Sequence, residues 1–133
     1  MRLSLPFHLA TGLWGEREAE QFLAARGYRI LSRRFRVTLR DEVDLVARDG
    51  EVLVFVEVKT RKTESYGRPL SAVDRKKRHV MSRAAVRYLH RLGKPVNFRF
   101  DVVEVIGSRE GGNPLIRHIE NAFLLDRCYV LPW

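Results

Sequence analysis

Apolar residues recur along this chain at two spacings, near 3.6 and near 2, and the changes between them mark its elements. From Gly12 to Arg26, Gly12, Gly15, Ala19, Phe22 and Leu23 fall on one side of a helix, with Thr11 as N-cap and Gly27 as the stop. The small residues on that side predict a close approach to a sheet. Glu16 lies at the margin of the buried face, about 70° from its centre. Tyr28–Val37 and residues 41–48 read as strands, and Asp49-Gly50 as a two-residue hairpin turn leading into a strand over 51–60. A polar loop follows from Arg61 to Leu70, with Gly67 and Pro69. Ser71, with Asp74 three residues on, reads as a capping box that opens a helix reaching about Leu92, closed by Gly93 and Pro95. Its stripe is Val73, Val80, Met81, Ala84, Ala85, Tyr88 and Leu92. A strand over Val96–Ile106, a turn at Gly111-Gly112 and a short strand over Leu115–Ile119 complete the pattern, and the tail from Asn121 is left unassigned. The order αβββαβ plus a short C-terminal strand predicts an α/β three-layer sandwich with helices on a mixed central sheet. We expect one domain over residues 1–133, with a core of about 12–123 and a tail over 124–133.

Charge changes this picture more by its distribution than by its total. The chain has 25 Lys+Arg against 16 Asp+Glu, a formal +9. Residues 33–40 hold four arginines and no acid, and residues 61–91 hold ten basic residues against Glu64 and Asp74. Between them, residues 41–60 hold six acids against Arg48 and Lys59. An acidic patch between basic segments suits an enzyme that draws in a polyanion and holds a divalent cation among carboxylates. Arginine outnumbers lysine twenty to five, however, and a merely Arg-rich protein would show the same total.

The hairpin locates the chemistry. With Asp49-Gly50 as the turn, Arg48 pairs Glu51, Glu42 comes opposite Glu57, and Asp44 lies diagonal to Glu57 at roughly 7–8 Å between backbones. Glu42, Asp44, Glu57 and Lys59 then share one side of the sheet. Val52, Val54, Val56 and Val58 alternate with Leu53 and Phe55, so both faces of this strand are largely apolar. Charges at the end of such a strand line a cleft more readily than an open surface. Asp44 and Glu57 are spaced to grip one cation. A simple ion pair of Lys59 with Asp44 or Glu57 is the alternative, but acids set opposite one another repel unless something positive lies between them.

Other residues have weaker assignments. Arg36, Arg61, Lys62, Arg68, Arg75 and Arg78 are candidate phosphate contacts, although any single one of them is more often just solvated. Lys77 falls on the Val73–Val80–Ala84 line and either reaches a phosphate or snorkels from the helix margin. Asp101, in the middle of a strand, is expected to have a structural partner such as an arginine. The histidines have no metal-ligand spacing along the chain, and Cys128 has no partner. The first residues make a poor secretory signal, and the most apolar run, Val52–Val58, contains Glu57 and is too short to cross a bilayer. With one cysteine and no disulfide available, the expected location is the cytoplasm.

Asp44 followed on the next strand by Glu57-Val58-Lys59 resembles the PD-(D/E)XK signature of restriction-endonuclease-like nucleases, in its D…ExK form. More closely, the chain resembles the YraN-like family of uncharacterised proteins, themselves similar to archaeal Holliday junction resolvases. The matching stretches are Gly12-x-x-Gly15-Glu16-x-x-Ala19, Gly27-Tyr28-x-Ile30-Leu31, residues 42–47, residues 54–59 with Arg61, residues 99–103, and His118-Ile119 with Ala122-Phe123. The resemblance implies a restriction-endonuclease-like sandwich and a Mg²⁺- or Mn²⁺-dependent endonuclease. Asp44 and Glu57 would be metal ligands, assisted by Glu16 from the first helix. Lys59 would orient the attacking water and steady charge on the phosphate. The family usually has Gly where this chain has Asp41, and commonly Asn where it has Arg34.

Three functions follow as expectations: an endonuclease acting on DNA, with branched or damaged forms considered; a nucleic-acid-binding protein that keeps the fold without cutting; and an assembly subunit with an incidental basic surface. The asymmetric charge disfavours the third. Cutting both strands of a duplex takes two sites, which makes a homodimer attractive.

Overall fold

The computed structural model describes residues 7–36, 38, 42–63 and 73–133, with side chains from residue 10 onward. Its elements are α1 (Phe7–Ala25), β1 (Arg29–Arg36), β2 (Glu42–Asp49), β3 (Val52–Arg61), α2 (Arg75–Leu92), β4 (Phe98–Ile106) and β5 (Leu115–Phe123). The five strands form one sheet in sequence order. Adjacent strands run antiparallel except β3 and β4, which are parallel and joined through α2. This is the expected α/β sandwich, consistent with the restriction-endonuclease-like arrangement.

Each helix covers one face, and strand alternation divides the core accordingly. Val54, Val56 and Val58 of β3 pack with Ala19 and Leu23 of α1. Leu53 and Phe55 pack on the other face with Met81, Ala84, Ala85 and Leu89 of α2. The small residues of α1 do bring it close: a Cβ on Gly15 would overlap the Thr60 hydroxyl. Ser82 is the polar residue on the buried face of α2, and its Oγ accepts the Asp126 N–H at 3.0 Å.

Several boundaries differ from expectation. α1 begins at Phe7, so Thr11 is inside the helix and caps nothing; Phe7 to Ala10 offer no helix breaker, and the turn extends upstream. Its end falls where expected. Gly27 takes φ 91°, Tyr28 N donates to Leu23 O at 3.0 Å and Gly27 N to Ala24 O at 3.0 Å. This Schellman pattern buries Tyr28 against Leu23. α2 is capped by Asp74, whose carboxylate accepts the Lys77 N–H at 2.8 Å. Asp74 is therefore the cap rather than the third residue of a box opened by Ser71, a residue outside those described. Gly93 closes α2 in the left-handed conformation, φ 72°. β5 continues to Phe123, past the expected end, because Phe123 stacks on Phe100 of β4 with ring centroids 4.7 Å apart.

The hairpin register also needs correction. Asp49 pairs Val52, so the turn residues are Gly50 and Glu51. Gly50 alone of the two has positive φ, 60°, as a type II′ turn requires. The pairs from Leu45 to Asp49 move by two residues, which keeps those side chains on their predicted faces but changes their neighbours, whereas the break between Val43 and Leu45 takes Glu42 off the face expected to hold it with Asp44.

Candidate functional site

The last β2–β3 pair is Leu45↔Val56. Continued in register, Asp44 comes opposite Glu57, rather than diagonal to it, and Glu42 moves away toward Lys59. Beyond Leu45 the ladder gives way to a side chain. Asp44 Oδ2 accepts the Val58 N–H at 2.8 Å, taking the place of a strand carbonyl. The regular alternation of β2 breaks here too, since Val43 packs on the α2 face and Leu45 on the α1 face. Arg34, between the pairs Arg33↔Leu45 and Phe35↔Val43, has φ 53°. The edge of the sheet therefore distorts at one level on both β1 and β2, and Asp44 sits in that gap.

The carboxyl groups of Asp44 and Glu57 hydrogen-bond to each other, and Glu57 is only 5% exposed. Burial, then the adjacent Glu57 carboxylate, push the Asp44 pKa from its usual value to about 8, against the opposing Val58 N–H. Burial and the neighbouring Glu57 carboxylate keep a proton on Asp44 where a cation would relieve the pair. Glu16 of α1 lines one cleft with Asp44, Glu57, Arg61 and Lys62. A second, neighbouring cleft also lies between Glu16 and Asp44. Asp44, Glu57 and Glu16 are thus the oxygen donors that could hold a divalent ion, and a hard cation suits an all-carboxylate set.

Two cations of the chain already pair with this set. Lys77 Nζ lies 3.1 Å from Glu57 Oε2. Burial opposes its charge, but Glu57, then Asp44 and Glu42, outweigh that and hold its pKa above the usual lysine range. Arg34 grips Glu16 through both carboxylate oxygens, Nη2 at 2.8 Å and Nε at 3.3 Å. The Glu16 hydrogen bond, followed by charge from Glu16, Glu42 and Asp44, raises its pKa despite burial.

The remaining expected residues are spread around this centre. Lys59 is half-buried and, by alternation along β3, shares the α2 side with Glu57. Glu42 pairs with Arg36 at 3.6 Å, outside the acid pair. Arg61 Nε lies 3.4 Å from Glu104 Oε2, while exposed Lys62 lines the acid cleft. Arg75 and Arg78 line clefts that the acids do not share. Arg68, like Asp41, lies outside the described residues.

Sequence reading missed two residues here. Glu104 is 1% exposed, paired with Lys59 across β3 and β4, and its Oε1 has no hydrogen-bond partner among the described residues. The acid in the apolar run of β4 was the available signal. Arg34 entered only as an unusual residue, not as a partner for Glu16. Asp101 behaves as expected of a structural acid. It accepts from Arg99 Nε at 3.0 Å and the Asn121 N–H at 3.0 Å, and lies 2.7 Å from His118 Nε2. Burial opposes its charge, but the His118, Arg99 and Asn121 hydrogen bonds prevail and hold its carboxyl below the usual range.

Among the described residues no helix is long and apolar enough to cross a membrane. Comparison with known proteins gives a consistent family. Residues 15–105 match the model of the uncharacterised protein family UPF0102. A UPF0102 protein of Symbiobacterium thermophilum is 50% identical over 110 residues, covering 82% of this chain and 92% of its own. Its counterpart in Geobacter sulfurreducens is 49% identical over 116 residues, covering 86% and 88%. One from Chlorobaculum tepidum is 43% identical over 119 residues, covering 86% and 92%. The chain therefore belongs to the uncharacterised protein family UPF0102, the YraN family that its motifs resemble.

Proposed function

We propose that this protein is a metal-dependent endonuclease that hydrolyses phosphodiester bonds in DNA, with branched or damaged DNA as the substrate form to examine first. The observation that carries the reading is the contact between the buried carboxyl groups of Asp44 and Glu57, with Glu16 in the same cleft. Among the described residues Asp44 and Glu57 have one donor each, the Val58 N–H and the Lys77 ammonium, where the structural acid Asp101 is held by Arg99, His118 and the Asn121 N–H. The proton that burial and Glu57 hold on Asp44 is one that a divalent cation would displace.

In this reading Asp44 and Glu57 hold Mg²⁺ or Mn²⁺, with Glu16 assisting. The bound cation would polarise a phosphoryl oxygen and acidify water. The Lys59 ammonium orients the attacking water and stabilises charge that develops on the phosphate. Lys62 and Arg61 at the cleft draw the phosphate backbone toward it. Lys77 provides Glu57 with a positive neighbour before the cation arrives. The proposed location is the cytoplasm, and a homodimer would supply one site for each strand.

One observation favours a second reading, a nucleic-acid-binding protein that does not cut. Lys77 already pairs Glu57 and Arg34 already pairs Glu16, so part of the acid set is neutralised from within. The two readings separate when the protein is incubated with linear and branched DNA in Mg²⁺ or Mn²⁺, and again with chelator. Cation-dependent cleavage is expected. Retained binding without cleavage under any of these conditions would replace the first reading with the second.

A further inference from the structure

Away from the acid cleft, the segment after β5 folds back on α2 and gathers three side chains of metal-binding type. His79 Nδ1 lies 3.0 Å from Asp126 Oδ2 and 3.9 Å from Cys128 Sγ. One donor atom from each of the three lies within 4.8 Å of the others. A tetrahedral ion with metal–nitrogen and metal–oxygen distances near 2.0–2.2 Å and metal–sulfur near 2.3 Å sets its donors roughly 3.3–3.7 Å apart. The two separations from His79 Nδ1 bracket that range and the third lies within 4.8 Å, so side-chain movements of about an ångström would bring all three onto one ion.

The surroundings hold these donors in place. Asp126 N donates to Ser82 Oγ, which is buried on α2. Cys128 N donates to Asp126 Oδ1 at 3.2 Å, leaving Oδ2 turned to the histidine. The Tyr129 hydroxyl lies 3.1 Å from His79 Nε2. Without an ion, Nδ1–H donates to Asp126 Oδ2; a metal would replace that proton, and Nε2–H donating to the Tyr129 hydroxyl would then hold the imidazole in the tautomer a metal needs. The spacing of these residues along the chain gave no sign of the cluster, because 49 positions separate His79 from Cys128.

We propose that His79, Asp126 and Cys128 form a second cation site, selective for Zn²⁺ or a similar transition ion, that fastens the C-terminal segment to α2. A mixed nitrogen, oxygen and sulfur set prefers such ions over Mg²⁺, in contrast to the all-carboxylate set at Asp44. Deprotonated, the carboxylate and thiolate neutralise a divalent ion. The three donors line one cleft with Arg75, Lys76 and Arg83, from which water or a small anion would complete the shell.

Co²⁺ titration of the full chain tests this, because thiolate-to-cobalt charge transfer absorbs in the near ultraviolet and reports only on ligation by sulfur. Wild type and Asp44→Asn should both develop the band, Zn²⁺ should abolish it and excess Mg²⁺ should leave it. Cys128→Ser should lack the band, and His79→Gln should bind Zn²⁺ at least tenfold more weakly. Should His79→Gln fail to fold, Cys128→Ser, which exchanges one exposed atom, decides the matter. Absence of the band in wild type, or Zn²⁺ affinity unchanged in Cys128→Ser, would overturn the proposal and leave a metal-free hydrogen-bonded clamp.

Discussion

At the scale of single residues, the pivotal group is Asp44. Its pKa near 8 lies far above that of an aspartate in the unfolded chain, so between those values the folded state binds the extra proton. The Asp44 contribution to metal-free stability is therefore greatest in acid and falls as pH rises from about 4 toward 8, the reverse of an ion-paired carboxylate such as Asp101. A divalent cation competes with that proton. Calorimetry should find Mg²⁺ affinity rising up to about tenfold per pH unit below 8 and levelling off above it. Asp44→Asn should flatten the stability profile in this window and bind Mg²⁺ poorly; a profile unchanged by that substitution would show that Asp44 does not titrate there. Arg34 gives a second test. Its φ of 53° costs a non-glycine residue on the order of 1 kcal/mol, and asparagine tolerates that region best. Arg34→Asn exchanges a part-exposed ion pair for a relaxed backbone, and the melting free energy should move by less than about 1 kcal/mol. Glu16 is released, so Mg²⁺ should bind more tightly; weaker binding would mean that Arg34 positions Glu16 rather than occupying it.

Among elements, the packing of α1 on β3 sets where Glu16 stands. Gly15 is one residue from Glu16 and touches Thr60 of β3, so a methyl group there forces the helix outward. Gly15→Ala should destabilise the protein by about 1–3 kcal/mol in a denaturant melt. It should also weaken Mg²⁺ binding more than Gly12→Ala, since a Cβ on Gly12 meets nothing within 4 Å. Equal effects of the two would remove the close approach from the account. At this scale the sequence was largely readable, because strand alternation and glycine punctuation act locally. The face assignment of Glu57 and Lys59 survived an error in the turn, since moving the turn by one residue shifts every pair by two. What could not be read was the neighbour. Choosing Gly50-Glu51 over Asp49-Gly50 depends on backbone conformation in the turn, and that choice decides whether Asp44 lies beside Glu57 or diagonal to it. The start of α1 was missed for a related reason, since Thr11 has the chemistry of a cap but the four residues before it, Phe7 to Ala10, carry the helix on upstream.

Over the whole molecule, the least legible features are those joining distant segments. Arg34 on Glu16, Lys77 on Glu57 and the tail on His79 each depend on the folded arrangement, and no local period encodes them. The same long-range closure places basic groups around the acid pair. The measurement that bears most directly on the central claim compares wild type with Asp44→Ala on branched and linear DNA in Mg²⁺. Cleavage by wild type should fall at least 100-fold in Asp44→Ala and vanish with chelator, while the fold, read by circular dichroism, is retained. Equal cleavage by the two proteins would contradict the assignment of Asp44 and, with it, the proposed catalytic centre.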